Sequence, residues 1–187
     1  ESKQENLLLL KGAIRLHLFQ LHNWASDGHV PADAFEKSLA ILRNMYWGPK
    51  VQLPHQREVR TIAIHARRGD VAAEGHWGYH SMGPGTTWNL EFYENVVDEL
   101  KSEFPDATIN VFSERLNSQD LKKLKGVSLH LGGREQLSNH FRELVTSDLL
   151  IPSNSGLSTW AAYLSTGRVR IYNHSRIKHF RHKVLPE

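Results

Sequence analysis

One stretch constrains the fold more than any other: Thr61-Ile-Ala-Ile-His-Ala-Arg-Arg-Gly-Asp70, where an apolar run ends abruptly in imidazole, two guanidiniums, a glycine and a carboxylate. Ile62 to Ile64 with Ala66 suit a strand covered on both faces, as in a parallel sheet flanked by helices. His65, Arg67, Arg68 and Asp70 then fall just outside the carboxyl end of that strand, where open α/β sheets bind ligands.

Further strands are expected at Thr108 to Ser113, Val127 to Leu131, Leu149 to Pro152 and Arg168 to Tyr172. Between them lie helical periodicities: Tyr93, Val96, Val97, Leu100 and Phe104 before Pro105, a short helix with Leu121 and Leu124 capped by Ser118, residues 134 to 147, and Leu157 to Leu164. The alternation predicts an α/β fold, a Rossmann-like, doubly wound, mostly parallel five-stranded sheet with flanking helices. Ahead of it, residues 6 to 22 and a second segment from Asp33 to Tyr46, ended near Gly48-Pro49, read as amphipathic helices. The expected organisation is therefore an amino-terminal helical segment, residues 1–50, packing on the core, and a nucleotide-binding unit, 51–187, with a basic tail at 173–187. The stretch from Val71 to Trp88 is too irregular for either element, and loops of that length usually carry function or are disordered.

With 187 residues the chain can bury one sizeable core. Its 23 Lys and Arg are interspersed with 20 Asp and Glu, so no basic block favours nucleic acid, and an anionic small molecule suits the +3 balance better. Binding of nucleic acid through Arg168, Arg170 and the 174–183 tail is the weakest of the functional readings. There are no cysteines, which removes thiolate metal sites. His76 and His80 stand four apart, but Gly75, Gly78 and Gly83 argue against a helix there, so no metal site is expected. No apolar run reaches the length of a membrane span. The opening Glu1-Ser-Lys-Gln, without methionine or signal region, reads as a processed or trimmed product.

Three strand-to-loop junctions are expected along one sheet edge. At the first, Arg67 and Arg68 offer planar donor forks for phosphate oxygens. Alternation sends only one of them into the site and leaves the other for ion pairs with Asp70 or Glu74. At the second, Ser113-Glu114 can set a carboxylate against a base or ribose, or can simply be solvated. At the third, Ser153-Asn154-Ser155-Gly156 before a helix is either an anion cradle that includes Ser158 or an ordinary cap. The fingerprints of α/β hydrolases, P-loop enzymes and dinucleotide oxidoreductases are missing from the sequence.

Taken in order, His65-Ala-Arg67-Arg68-Gly69-Asp70, Val111-Phe112-Ser113-Glu114 and Asp148-Leu-Leu-Ile-Pro-Ser153-Asn154-Ser155-Gly156-Leu-Ser158-Thr-Trp160 resemble the three motifs of the α1,2/α1,6/O-fucosyltransferase superfamily. The resemblance covers about residues 59 to 172 and implies the carboxy-terminal, nucleotide-sugar-binding half of a GT-B glycosyltransferase. It implies metal-independent, inverting transfer of fucose from GDP-fucose to a glycan or protein hydroxyl, with no cofactor. By the same resemblance Arg67 holds the β-phosphate with His65 beside it; Ser153, Ser155 and Ser158 face the diphosphate, and Glu114 meets the guanine. Glu74 or Asp70 would take the acceptor proton. The chain departs from the family pattern in Ser113-Glu114-Arg115, where a second carboxylate is usual, and in Leu157 and Thr159, where Phe and Trp are frequent. The rival reading is a non-catalytic nucleotide- or glycan-binding module of the same fold.

Overall fold

The structure, a computed structural model, describes residues 32–48, 58–67, 90–114, 116, 124–153 and 155–172. The chain divides into two compact units, Glu1–Val51 and Gln52–Glu187. The expected helices at 6–22 and near Ser118, the loop 71–88 and the tail 173–187 lie outside the described residues.

In the first unit one helix is described, α1 (Ala32–Trp47). It stops at Gly48, whose φ of 82° is the left-handed geometry glycine adopts without strain, and whose N–H closes the last turn on Asn44 O at 2.9 Å. Leu39 is buried, whereas Tyr46 near the helix end is exposed and meets Trp47 edge-on.

The second unit carries the sheet. Its elements are β1 (Thr61–His65), α2 (Leu90–Glu103), β2 (Thr108–Ser113), β3 (Ser128–Leu131), α3 (Leu137–Thr146), β4 (Leu149–Ile151), α4 (Gly156–Leu164) and β5 (Arg168–Val169). All five strands are parallel, in the order β3-β2-β1-β4-β5. This is the Rossmann-like α/β arrangement the alternation predicted. Its strand order reverses between β1 and β4, and that crevice is the topological switch point.

Two different helix sets cover the sheet because successive side chains leave a strand on opposite faces. Ile62, Ile64, Ala66, Ile109, Val111, Leu149 and Ile151 form one core with Tyr93, Val96, Val97 and Leu100 of α2. Ile62, Ile64 and Ile151 are fully buried, each contributing roughly 1.5–3 kcal/mol by removal from water. The alternate residues Ala63, His65, Asn110, Phe112 and Leu150 face the other way, toward α3 and α4, which bury Leu144, Val145, Ala161, Ala162 and Tyr163. His65 therefore belongs to the α3–α4 side.

The amino edge is pinned by Asp148. Its Oδ2 accepts Arg60 N–H (3.1 Å), Thr61 N–H (2.9 Å) and the Thr61 hydroxyl (2.8 Å), which fixes β4 against β1 below the site. At the turn into β5, Arg168 N–H donates to Asp148 O at 2.9 Å.

Several elements differ from expectation at their ends; β4 stops at Ile151, before Pro152, and α4 starts at Gly156. β5 stops at Val169, although Arg170 N–H still reaches Leu150 O at 3.0 Å, because Pro152 has no N–H with which to extend the β4 ladder. β3 omits Val127, which follows the tight turn at Gly126 (φ 67°). The helix expected from 134 opens with a single 3-10 turn, Arg134–Gln136, closed by Gln136 N–H on Gly133 O at 3.2 Å. Beyond β5, Arg170 forms a bidentate pair with Glu103 (2.6 and 2.7 Å) and also reaches Glu99 at 3.2 Å, so this guanidinium ties the chain to α2.

Candidate functional site at the switch point

The carboxyl ends of β1 and β4 lie side by side, with Ile64 paired to Ile151. One residue further, His65 ends β1, and two residues further, Ser153 opens the turn into α4. Adjacency in the sheet thus brings together segments almost ninety positions apart in sequence.

Their contact is a buried hydrogen-bond knot around one ring nitrogen. His65 Nδ1 lies 2.5 Å from Ser158 Oγ, 2.7 Å from Ser153 Oγ and 3.4 Å from Ser155 Oγ. The hydroxyls also meet one another: Ser153 Oγ donates to Ser155 Oγ (3.3 Å) and touches Ser158 Oγ (3.2 Å). Ser158 Oγ accepts Ser153 N–H at 3.1 Å, and Ser155, the N-cap of α4, accepts Ser158 N–H at 3.1 Å. All four side chains are buried. Burial first, then the Arg67 guanidinium and then His140, push the His65 pKa down to about 4, so the ring is neutral at pH 7. A neutral ring either accepts a hydroxyl proton at Nδ1 or donates one there, and either tautomer satisfies this knot.

The hydroxyls are thus engaged with the imidazole and with one another, and backbone donors follow them in the chain. Gly156 and Leu157 are half-buried residues of the first turn of α4, and their N–H groups find no acceptor among the described residues. Together with the positive end of the helix, they make an edge suited to negative charge. Arg67, two residues past His65 and half-buried, contributes a full charge close enough to act on the imidazole.

The second junction follows on the same edge. Ser113 is buried at the end of β2, and its carbonyl accepts Gly132 N–H at 3.2 Å. Glu114 is exposed just beyond it. Since His65 pairs with Phe112, Glu114 stands two positions past the level of the imidazole, on the neighbouring strand. Arg68, Asp70, Glu74 and Asn154 lie outside the described residues, as do His76 and His80. Among the described residues no group of three or more His, Asp or Glu is arranged to hold a metal ion.

The register adds a cluster that spacing in the sequence does not reveal. His65, Phe112 and His130 form one row across β1, β2 and β3. The His130 ring stacks on Phe112 with centroids 4.6 Å apart, and its Nε2 meets Asn110 Oδ1 at 2.9 Å. His140 of α3 packs edge-on against the same phenyl ring at 5.3 Å. Burial first and His130 second lower the His140 pKa, against the pull of Glu135 and Glu143. The row supports the floor beside His65; its signal was the registration of parallel strands, which only the folded sheet supplies.

Comparison with known proteins adds no neighbour: no family model matches the chain, and no curated protein or solved structure matches it.

Proposed function

We propose that the Gln52–Glu187 unit is the donor-binding half of a glycosyltransferase that transfers fucose from GDP-fucose to a glycan or protein hydroxyl, with inversion. One observation carries the reading: Arg67 follows β1 and the first turn of α4 follows β4, the two adjacent strands that flank the switch point, and the same segments bear the motif resemblance. The diphosphate rests between the Arg67 guanidinium and the Gly156 and Leu157 amides. Glu114, one strand away, receives N–H groups of the base.

In the reaction the acceptor oxygen bonds to the anomeric carbon as the bond from that carbon to the β-phosphate oxygen breaks, and the electron pair leaves with GDP. The acceptor proton passes to a carboxylate, Asp70 or Glu74. Charge grows on the departing diphosphate, so Arg67 and the helix amides stabilise the transition state more than the ground state. A charged fork and fixed dipoles supply this stabilisation without reorganising during the reaction.

A thermal-shift panel of GDP, UDP, ADP, GDP-fucose and GDP-mannose, with and without Mg²⁺, followed by GDP-fucose turnover, tests the reading. GDP and GDP-fucose are expected to raise Tm in both conditions. No shift with any nucleotide would refute the reading. Binding without hydrolysis or transfer would favour a non-catalytic module of the same fold.

A further inference from the structure

We propose that His65 is a positioning residue for the anion site: its Nδ1 holds Ser153 and Ser158, sets the first turn of α4 through them, and the ring does not itself touch the ligand. The inference rests on the functional reading above and assigns the imidazole a different part from that of a phosphate ligand.

The bonding supports this division of labour. β1 is the central strand, and its last residue, His65, is paired with Phe112 of β2, so the ring is carried on ladder backbone. The turn after β4 is held differently: its hydrogen bonds include Ser155 N–H to Ser153 O at 2.8 Å and the contacts of its own hydroxyls. Serine hydroxyls rotate freely and accept many partners, so they do not define one geometry by themselves. A fixed ring nitrogen within 2.7 Å of two of them does. From there the order is transmitted in two steps. Ser158 Oγ fixes Ser153 N–H, and Ser155 Oγ fixes Ser158 N–H, while the Gly156 and Leu157 amides keep no acceptor among the described residues. A neutral ring suits this place, because an imidazolium would set a second buried charge beside Arg67; burial keeps it neutral.

The two amide replacements of histidine separate Nδ1 from Nε2. In His65→Asn the terminal amide falls near the Nδ1 position, and in His65→Gln near the Nε2 position. With folding verified by circular dichroism and Tm recorded for each, GDP affinity is measured calorimetrically well below the transition. His65→Asn is expected to bind GDP within about threefold of the wild type, and His65→Gln at least tenfold more weakly, the factor that corresponds to about 1.4 kcal/mol. Retention by His65→Gln with loss by His65→Asn would mean that Nε2 meets the ligand, and would overturn the inference. So would a Tm change in His65→Gln without a change in affinity, because that is a purely structural role. Should His65→Gln not fold, imidazole ¹⁵N shifts of the wild type serve instead. Saturating GDP is expected to leave His65 Nε2 unmoved, and a large Nε2 shift or ring protonation would contradict the proposal. A wild type that fails to bind GDP overturns the functional reading, and this inference with it; normal wild-type binding with equal affinity in His65→Gln overturns this inference alone.

Discussion

Ser158→Ala isolates the contribution of the buried knot to the fold. The hydroxyl is fully buried and has three neighbours: it accepts Ser153 N–H at 3.1 Å, meets His65 Nδ1 at 2.5 Å and touches Ser153 Oγ at 3.2 Å. His65 keeps Ser153 Oγ when Ser158 Oγ is removed, so the ring is not orphaned. Ser153 N–H, however, loses its hydroxyl acceptor, and the loss of such a buried hydrogen bond costs about 1–3 kcal/mol. Adding a modest loss from the hydroxyl–imidazole bond, the expected destabilisation is about 2–3 kcal/mol. For a unit of this size each kcal/mol moves Tm by about 3–4 °C. Thr159→Val is the internal control. Thr159 is equally buried, but its hydroxyl only donates to Ser155 O (2.8 Å), which already accepts Thr159 N–H (2.9 Å), so no buried group is left bare. Its cost should stay below about 1 kcal/mol. Urea unfolding of both variants decides the matter. The reasoning fails if Ser158→Ala lies within about 0.5 kcal/mol of the wild type, or if Thr159→Val is the costlier change.

Gly167→Ala should unfold or severely weaken the second unit: an added Cβ would stand 2.0 Å from Ser147 O and 2.6 Å from Asp148 O, so β5 must move off Asp148. We expect a loss of about 3 kcal/mol or more in urea titration, and a wild-type midpoint would contradict that packing. Stability should also fall with acid through His65. Its pKa is about 4 folded against an ordinary 6.5, so between these values the unfolded chain binds more protons and stability rises with pH. The contribution is complete above about pH 6.5 and is lost on the way down to about pH 4, by roughly 3 kcal/mol in all, with His140 acting in the same direction. Urea unfolding at pH 7.5, 6 and 5 should therefore show a shallower pH slope in His65→Asn than in the wild type; equal slopes would remove His65 from the account.

The elements legible in the sequence were those whose local chemistry agreed with their packing. β1 and β2 read clearly because Ile62, Ile64, Ile109 and Val111 are apolar on the α2 face, and α4 because Ser155 caps a short apolar run. Parallel pairing then followed from the alternation of strands and helices, and with it the shared edge of the three junctions. The end of β5 was not legible, because Arg168 to Tyr172 alternates like a strand although β4, cut by Pro152, has no ladder left to offer. The direction of the serine hydroxyls was equally hidden. Ser153, Ser155 and Ser158 have the same spacing whether they face a phosphate or an imidazole, and only the pairing of β1 with β4 brings His65 beneath them. Asp148 opens the third motif, whereas its carboxylate serves the opposite edge, bracing Arg60 and Thr61.

The central claim is that the switch point between β1 and β4 binds a nucleoside diphosphate through Arg67 and the first turn of α4. Calorimetric titration of GDP into the wild type and Arg67→Ala tests it most directly. Removing a charge-assisted donor fork costs about 1.5–3 kcal/mol, which corresponds to roughly 10- to 150-fold in affinity. The account predicts measurable GDP binding by the wild type and a loss of that size in Arg67→Ala, both measured well below the Tm of each protein. Equal GDP affinity in the two proteins would contradict it.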